Sequence, residues 1–403
     1  MKRFTLATAT AVALLAAGTA SASAATRAVD DDGRATPRNC NAETPTFNSV
    51  QAAVTASNAG DTIVVCPGTY TEQVTVPSGK DRLTLISSSR RQAIIKAPAT
   101  SNATYNRLRP DIVRVEGAEN VSFASFTITG PLADDQFCND KLNANVRILG
   151  GGSANLVDNR ITKAKPTAAA LLGCQNGFGV QIGRNFENDT GTGRLYYNEI
   201  DDYAKGGIYV DNAGSTLVAV GNTVRGPDQS ATPGIPVAAT NGVQISRNAD
   251  AYVERNRVVD NVFLGFPSTP TDEPAGQASG FILFDNVDSD IRLRNNYVDN
   301  NDTNLGLYNS DSGEFKNNTL LDAVFYDGIY ADVDSERNRF ISNTALGNTE
   351  HDCHDDSQGD GTAGTANVWN GNRGETSTPE GICKKRGRGH DDDKHDDDKH
   401  DDD

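Results

Sequence analysis

One asparagine setting recurs along this chain and constrains its fold more than any other feature. Asn159, Asn198, Asn222, Asn256, Asn296, Asn318 and Asn338 each follow a strand-like segment and precede a branched apolar residue or Phe. The successive gaps are 39, 24, 34, 40, 22 and 20 residues. The three short gaps set a period. The longer ones fit one period plus an insertion, or nearly two. Self-similarity on this scale marks a solenoid, in which each repeat buries its apolar face only against its neighbours.

A second text lies between the asparagines. Gly179–Ile182, Gly207–Val210, Gly242–Ile245, Gly280–Leu283, Gly306–Asn309 and Gly328–Ala331 each begin with glycine. Most then alternate apolar, polar, apolar, so first and third residues face one way and the second the other. A second short strand follows, as in Thr216–Val220, Ala251–Glu254 or Asp290–Leu293, and a third follows the asparagine. Three short strands per turn, with no helical period between them, predict an all-β chain. The expected architecture is a right-handed single-stranded parallel β-helix of about 20–24 residues per coil, its coils stacked about 4.8 Å apart. The asparagines are expected at one corner, in left-handed backbone geometry, with stacked amides bonding one another.

These repeats resemble those of the right-handed β-helix proteins of the pectate-lyase-like superfamily. The opening text, Phe47–Val54 followed by Gly60–Val74, is similar to that of pectin methylesterases. The resemblance implies a short amphipathic helix plugging the first coil. Val50, Ala53 and Val54 at helical spacing supply its apolar face. It also implies a disulfide-closed C-terminal cap holding Trp369, and an extracellular polysaccharide as partner, bound or cleaved. Cleavage in this superfamily would be β-elimination assisted by Ca2+. The paired catalytic texts of pectin methylesterases, polygalacturonases and alginate epimerases are absent from this sequence. A non-catalytic, wall-associated binding or structural role is therefore the alternative.

Residues 1–24 read as a signal peptide: Lys2 and Arg3, the apolar run Leu6–Gly18, then small residues through Ala24. Residues 25–39 are expected to be a disordered leader, 40–383 the capped β-helix, and 384–403 a basic, then His/Asp-rich, disordered tail. Export agrees with an even count of six cysteines. Fifteen pairings are possible. Because repeats touch only their neighbours, sequential pairing is expected: Cys40 with Cys66, Cys138 with Cys174, and Cys353 with Cys383. The net charge of −17 disfavours nucleic acid and anionic membranes. It also disfavours polyanionic sugars unless a divalent cation bridges the like charges. No segment is long and apolar enough for a membrane span, and a monomer is expected.

Insertions at 131–143, 163–176, 185–192, 225–240 and 264–279 break the period and offer loops on a rigid scaffold, where function concentrates. Aligning the glycine-led strands puts Arg147, Gln181, Tyr209, Gln244, Ile282, Tyr308 and Tyr330 in one outward column. Aromatic faces and amides in a row suit a sugar chain, so the column is the candidate binding strip. Lys205, Arg184 and Arg247 beside it are candidate bases for abstracting the proton α to a uronate carboxylate. Asp211, Asp285, Asp327 and Asp332 are candidate calcium ligands. The segment Glu350–Asp356 mixes His and carboxylates at close spacing and offers a second metal candidate. No histidine precedes His351, so histidine chemistry is confined to the C-terminal end.

Overall fold

The computed structural model describes residues 24–99, 110–131, 143–166, 175–227, 238–263 and 277–385. Among these the strands form three parallel sheets of twelve, eleven and ten strands. Consecutive strands never share a sheet beyond the first pair. The chain visits the twelve-, ten- and eleven-stranded sheets in turn, once per coil. Parallel crossovers of this kind are right-handed, and the fold is a right-handed parallel β-helix. Inward residues alternate with outward ones: in Thr216–Val220, Leu217 and Ala219 are buried while Thr216, Val218 and Val220 are half-buried. Stacked in register, the inward residues make one continuous core.

The helix Val50–Ala56 plugs the first coil with Val50, Ala53 and Val54 buried, as expected. Glu72, one coil below, accepts from the backbone N–H of Val50 at 2.8 Å and of Gln51 at 2.9 Å, satisfying two free amides of the helix start. At the other end Trp369 stacks on Phe340, ring centroids 3.9 Å apart, and its indole N–H donates to Asp355 at 2.7 Å. The single tryptophan is thus part of the cap.

The amide ladder runs through Asn159, Asn198, Asn222, Asn256, Asn296, Asn318, Asn343 and Asn372, with Nδ2 to Oδ1 distances of 2.9–3.1 Å. Two details differ from the sequence reading. Asn338 is not in this ladder: it sits at another corner, where Asn367 Oδ1 accepts its backbone N–H at 2.8 Å. Asn343 takes its place. The left-handed conformation also falls on the residue before each ladder asparagine, as at Asp158, Tyr197, Arg255, Asn295, Asn317 and Ser342. The asparagine itself is chosen for its buried amide. Each such Oδ1 also accepts the preceding ladder asparagine's backbone N–H, for example Asn256 N–H to Asn296 at 3.0 Å, so one side chain closes the corner of two coils.

Residues 25–39 are not a loose leader. Thr26–Val29 pairs in parallel with Thr62–Val65, and Val29 is fully buried. This strand is only four residues long, shows no apolar–polar alternation and is followed by an acidic turn, so its strand character is hidden in the sequence. Cys40–Cys66 and Cys353–Cys383 are bonded. Cys138 and Cys174 lie outside the described residues, as do the signal segment through residue 23, the tail from residue 386, and most of four of the five insertions. Among the described residues no helix is long and apolar enough to cross a membrane.

Candidate functional site

The eleven-stranded sheet carries the candidate column. Its register aligns Arg114, Arg147, Gln181, Tyr209, Gln244, Ile282, Gly306, Tyr330 and His354. Arg114 and His354 extend the column beyond the sequence reading. Tyr308 leaves it, pairing in register with Phe284 instead. The glycine of Gly306–Asn309 occupies the outward position itself, two residues from the expected alignment. The Tyr308 ring then folds back over that glycine: a Cβ at Gly306 would lie 2.9 Å from Tyr308 Cε2. Tyr308 therefore still covers the column, 5.6 Å from Tyr330 ring to ring.

The column is not uniformly open. Arg147, Gln181 and Tyr209 are buried, whereas Gln244 and Tyr330 are half-buried. Arg114 forms a buried ion pair with Asp111 at 2.7 Å. Burial pushes the Asp111 carboxyl up, against the pull of Arg147 and Arg114. Asn143 bridges the next level, donating to Asp111 at 3.3 Å and to Gln181. Arg147 contacts Glu187 through Nη2, while its Nε and Nη1 have no hydrogen-bond partner among the described residues.

Above this polar floor lies a cavity of about 130 Å³ lined by Gln181, Arg184, Lys205, Tyr209 and Gln244, with Phe178 and Phe186 as its apolar walls. Five of the residues singled out in the sequence thus converge on one space. Lys205 is positioned by the turn into the strand Gly206–Asp211, its backbone N–H held by Gly177 O at 3.0 Å. Its ammonium donates to Ala239 O at 2.8 Å and has no carboxylate partner among the described residues. Burial lowers its pKa to about 8, because desolvation disfavours the charged form. Arg184 is paired with Glu187 at 2.8 Å. Arg247 lies just outside, donating to Tyr209 OH at 3.1 Å and Asp211 at 3.0 Å.

Tyr209 is therefore less a free platform than a fixed wall. It stacks on Phe178 at 4.9 Å, and burial pushes its phenol well above the ordinary range. The exposed ring at the mouth is Phe186, which sequence reasoning did not single out. It is 77% exposed, with the Arg247 guanidinium 5.2 Å from its centroid. An aromatic within the polar insertion 185–192 was the available signal.

The four candidate calcium ligands are not gathered. Asp211 is taken by Arg247 and by the backbone N–H of Asn185 at 2.8 Å. Asp285 accepts from the Asn309 side chain at 3.0 Å, and Asp332 from the Asn309 backbone at 3.1 Å. Asp327 instead joins His351 and His354. Tyr330 donates to Asp356 at 3.1 Å and meets His354 edge to face. Hydrogen bonding to Asp327 raises the His354 pKa against the effect of burial. Around the cavity, Arg147 and Arg184 share Glu187, Arg247 holds Asp211, and Lys205 adds a fourth cation. An acidic protein thus presents a locally basic pocket.

No protein-family model matches this chain, and no curated protein sequence does. Among solved structures it is similar to XylC in complex with xylose, at 12% identity and a TM-score of 0.49, over 80% of this chain and 69% of that one. It is similar to pectate lyase Pel9A, at 13% identity and a TM-score of 0.41, over 72% and 77% of the two chains. It is also similar to a point mutant of the periplasmic alginate epimerase AlgG, at 17% identity and a TM-score of 0.42, over 74% of this chain. The aligned part spans 66% of that epimerase's length.

Proposed function

We propose that this chain is an exported protein that binds an extracellular polysaccharide along the eleven-stranded sheet, seating one carboxylate-bearing sugar in the cavity beside Lys205. The observation that carries this reading is the convergence of Lys205, Arg184, Gln181 and Gln244 with aromatic walls on one small basic space. At about 130 Å³ the space is smaller than the ~300–1,000 Å³ of drug-sized sites. It suits a single ring or acidic substituent of a longer chain. The basic lining would offset the repulsion that the overall negative charge imposes on a polyanion. Lys205, partly neutral near pH 8, is the group best suited to take the proton α to the bound carboxylate. Arg184 is the nearby guanidinium suited to holding that carboxylate. In this reading the arginines neutralise the substrate's charge, and Ca2+ is not needed at the cavity.

The test is a panel of polyuronates and neutral glycans, with calcium or EDTA, scored for binding by affinity electrophoresis and for cleavage by the absorbance of unsaturated products. Binding of a polyuronate that is lost in Lys205→Met and Arg184→Met supports the site. Absorbance appearing with EDTA present supports elimination at Lys205. Binding without absorbance moves the reading to a non-catalytic carbohydrate-binding protein. Absence of binding to every polyuronate overturns it.

A further inference from the structure

The far end of the same sheet holds a second cluster that the polysaccharide reading does not use. Asp327 is buried, and its side chain faces two imidazoles. His351 Nδ1 lies 3.1 Å from Asp327 Oδ1, and His354 Nδ1 lies 3.3 Å from Oδ2. One ligand atom from each residue falls within 4.8 Å of the other two. A tetrahedral zinc ion with bonds of about 2.0–2.1 Å sets its ligand atoms about 3.3 Å apart. Each imidazole nitrogen already lies at about that separation from one oxygen of Asp327, His351 from Oδ1 and His354 from Oδ2.

The distances alone would also suit plain hydrogen bonds. The outer partner of His354 narrows the choice. Its Nε2 lies 3.1 Å from Asp356 Oδ1, and the other oxygen of Asp356 accepts from Tyr330 OH at 3.1 Å. With the ring proton on Nε2, toward Asp356, the Nδ1 lone pair is aimed at the Asp327 carboxylate. In that neutral ring two acceptors face each other at 3.3 Å, a gap that a second ring proton or a metal cation fills. A carboxylate behind a ligating imidazole is the usual second layer of a metal site.

The scaffold holds the group in place. Tyr330 and His354 are register partners. The His351 backbone N–H donates to Asp327 at 3.1 Å. Cys353, between the two histidines, is bonded to Cys383. The side chains of His351 and His354 are 27% and 16% exposed, so three protein ligands leave a coordination position open to solvent. Two nitrogens and a carboxylate suit zinc; calcium takes six to eight oxygens.

We propose that Asp327, His351 and His354 bind one zinc ion, with Asp356 orienting His354 and the fourth position open beside Tyr330. The experiment uses the full chain carrying His390→Ala, His395→Ala and His400→Ala, so that tail imidazoles do not compete. After chelator treatment, zinc chloride is titrated calorimetrically, and then again with excess calcium present. One zinc per chain, undisturbed by calcium, is the expected result. His351→Ala and His354→Ala each remove it, and Asp356→Asn weakens it about 10–100-fold at unchanged stoichiometry. Metal-free melting curves matching the parent show that the variants are folded. Lack of stoichiometric uptake by the parent, leaving only a proton in the cluster, overturns the proposal. So does uptake that survives both histidine substitutions in folded protein.

Discussion

Asn296→Ala tests the amide ladder directly. The Asn296 side chain makes four hydrogen bonds: Nδ2 donates to Asn318 Oδ1 and Val253 O, both at 3.0 Å, and Oδ1 accepts from Asn256 N at 3.0 Å and Asn256 Nδ2 at 3.1 Å. Truncation does not strand all of these partners. Asn318 Oδ1 keeps the Asn296 backbone N–H, and Asn256 Nδ2 keeps Ala219 O. The Asn256 backbone N–H is left buried with no acceptor. A stranded donor costs about 1–3 kcal/mol, and each of the other lost bonds contributes about 0.5–1.5 kcal/mol net. The expected loss is about 4 kcal/mol. Guanidinium unfolding, followed by both Trp369 fluorescence and far-ultraviolet circular dichroism, measures it, and coincidence of the two signals checks cooperativity. The neighbouring Asn295 is the control. It is exposed and left-handed, so Asn295→Gly should change stability by less than about 0.5 kcal/mol. A loss below about 1 kcal/mol at Asn296, or equal effects at the two positions, would refute the assignment of the ladder as structural.

Lys205 has a folded pKa near 8 against an ordinary value of 10.5, so the folded state binds fewer protons between those values. Stability should rise as pH climbs from about 8 to 10.5, and thermal melts of Lys205→Met should lack that rise. Asp302 has the opposite sign. Its buried carboxylate, raised to about 7, accepts from Phe263 N–H at 3.1 Å and Ala278 N–H at 2.9 Å across the neck of an insertion. Stability should therefore fall as pH rises from about 4 through 7, and Asp302→Asn should flatten that slope in melts across the range. Phe186→Ala should weaken polyuronate binding several-fold, by affinity electrophoresis, with an unchanged melting curve, since the ring is mostly exposed. Cys40→Ser with Cys66→Ser opens a closure of 26 residues. It should cost about 3.5 kcal/mol in the chain-entropy account, read by guanidinium unfolding.

The period was legible because a solenoid repeats one solution to one problem, and the problem is a corner with buried backbone groups. Asn343 was missed because its following text, Thr344–Leu346, delays the branched residue, whereas Asn338 fits the same pattern at a different corner. Local text cannot tell corners apart when asparagine serves more than one. The Tyr308 register shows a related limit. A glycine at a strand start and a glycine at an outward position read alike, and only pairing with Phe281–Phe284 separates them. The cavity was partly legible, since Lys205, Arg184, Gln181, Tyr209 and Gln244 were all on the expected side. Their partners were not. That Arg147 reaches Glu187, and that Phe178 backs Tyr209, depend on contacts between separate coils.

The ladder also has a direction. Every amide-to-amide bond of the ladder runs toward the C-terminal end, from Asn159 to Asn372, so these bonds align head to tail, and neighbouring bonds polarise one another. Each interior member sees the same surroundings as the next. Inserting or excising a whole coil therefore creates no new kind of corner and strands no amide, whereas a single-residue insertion at a corner breaks the line on both sides. The number of coils is a free variable of this architecture, set by where its two caps fall, and a groove along one face can be lengthened or shortened in whole-coil steps without redesigning its foundation.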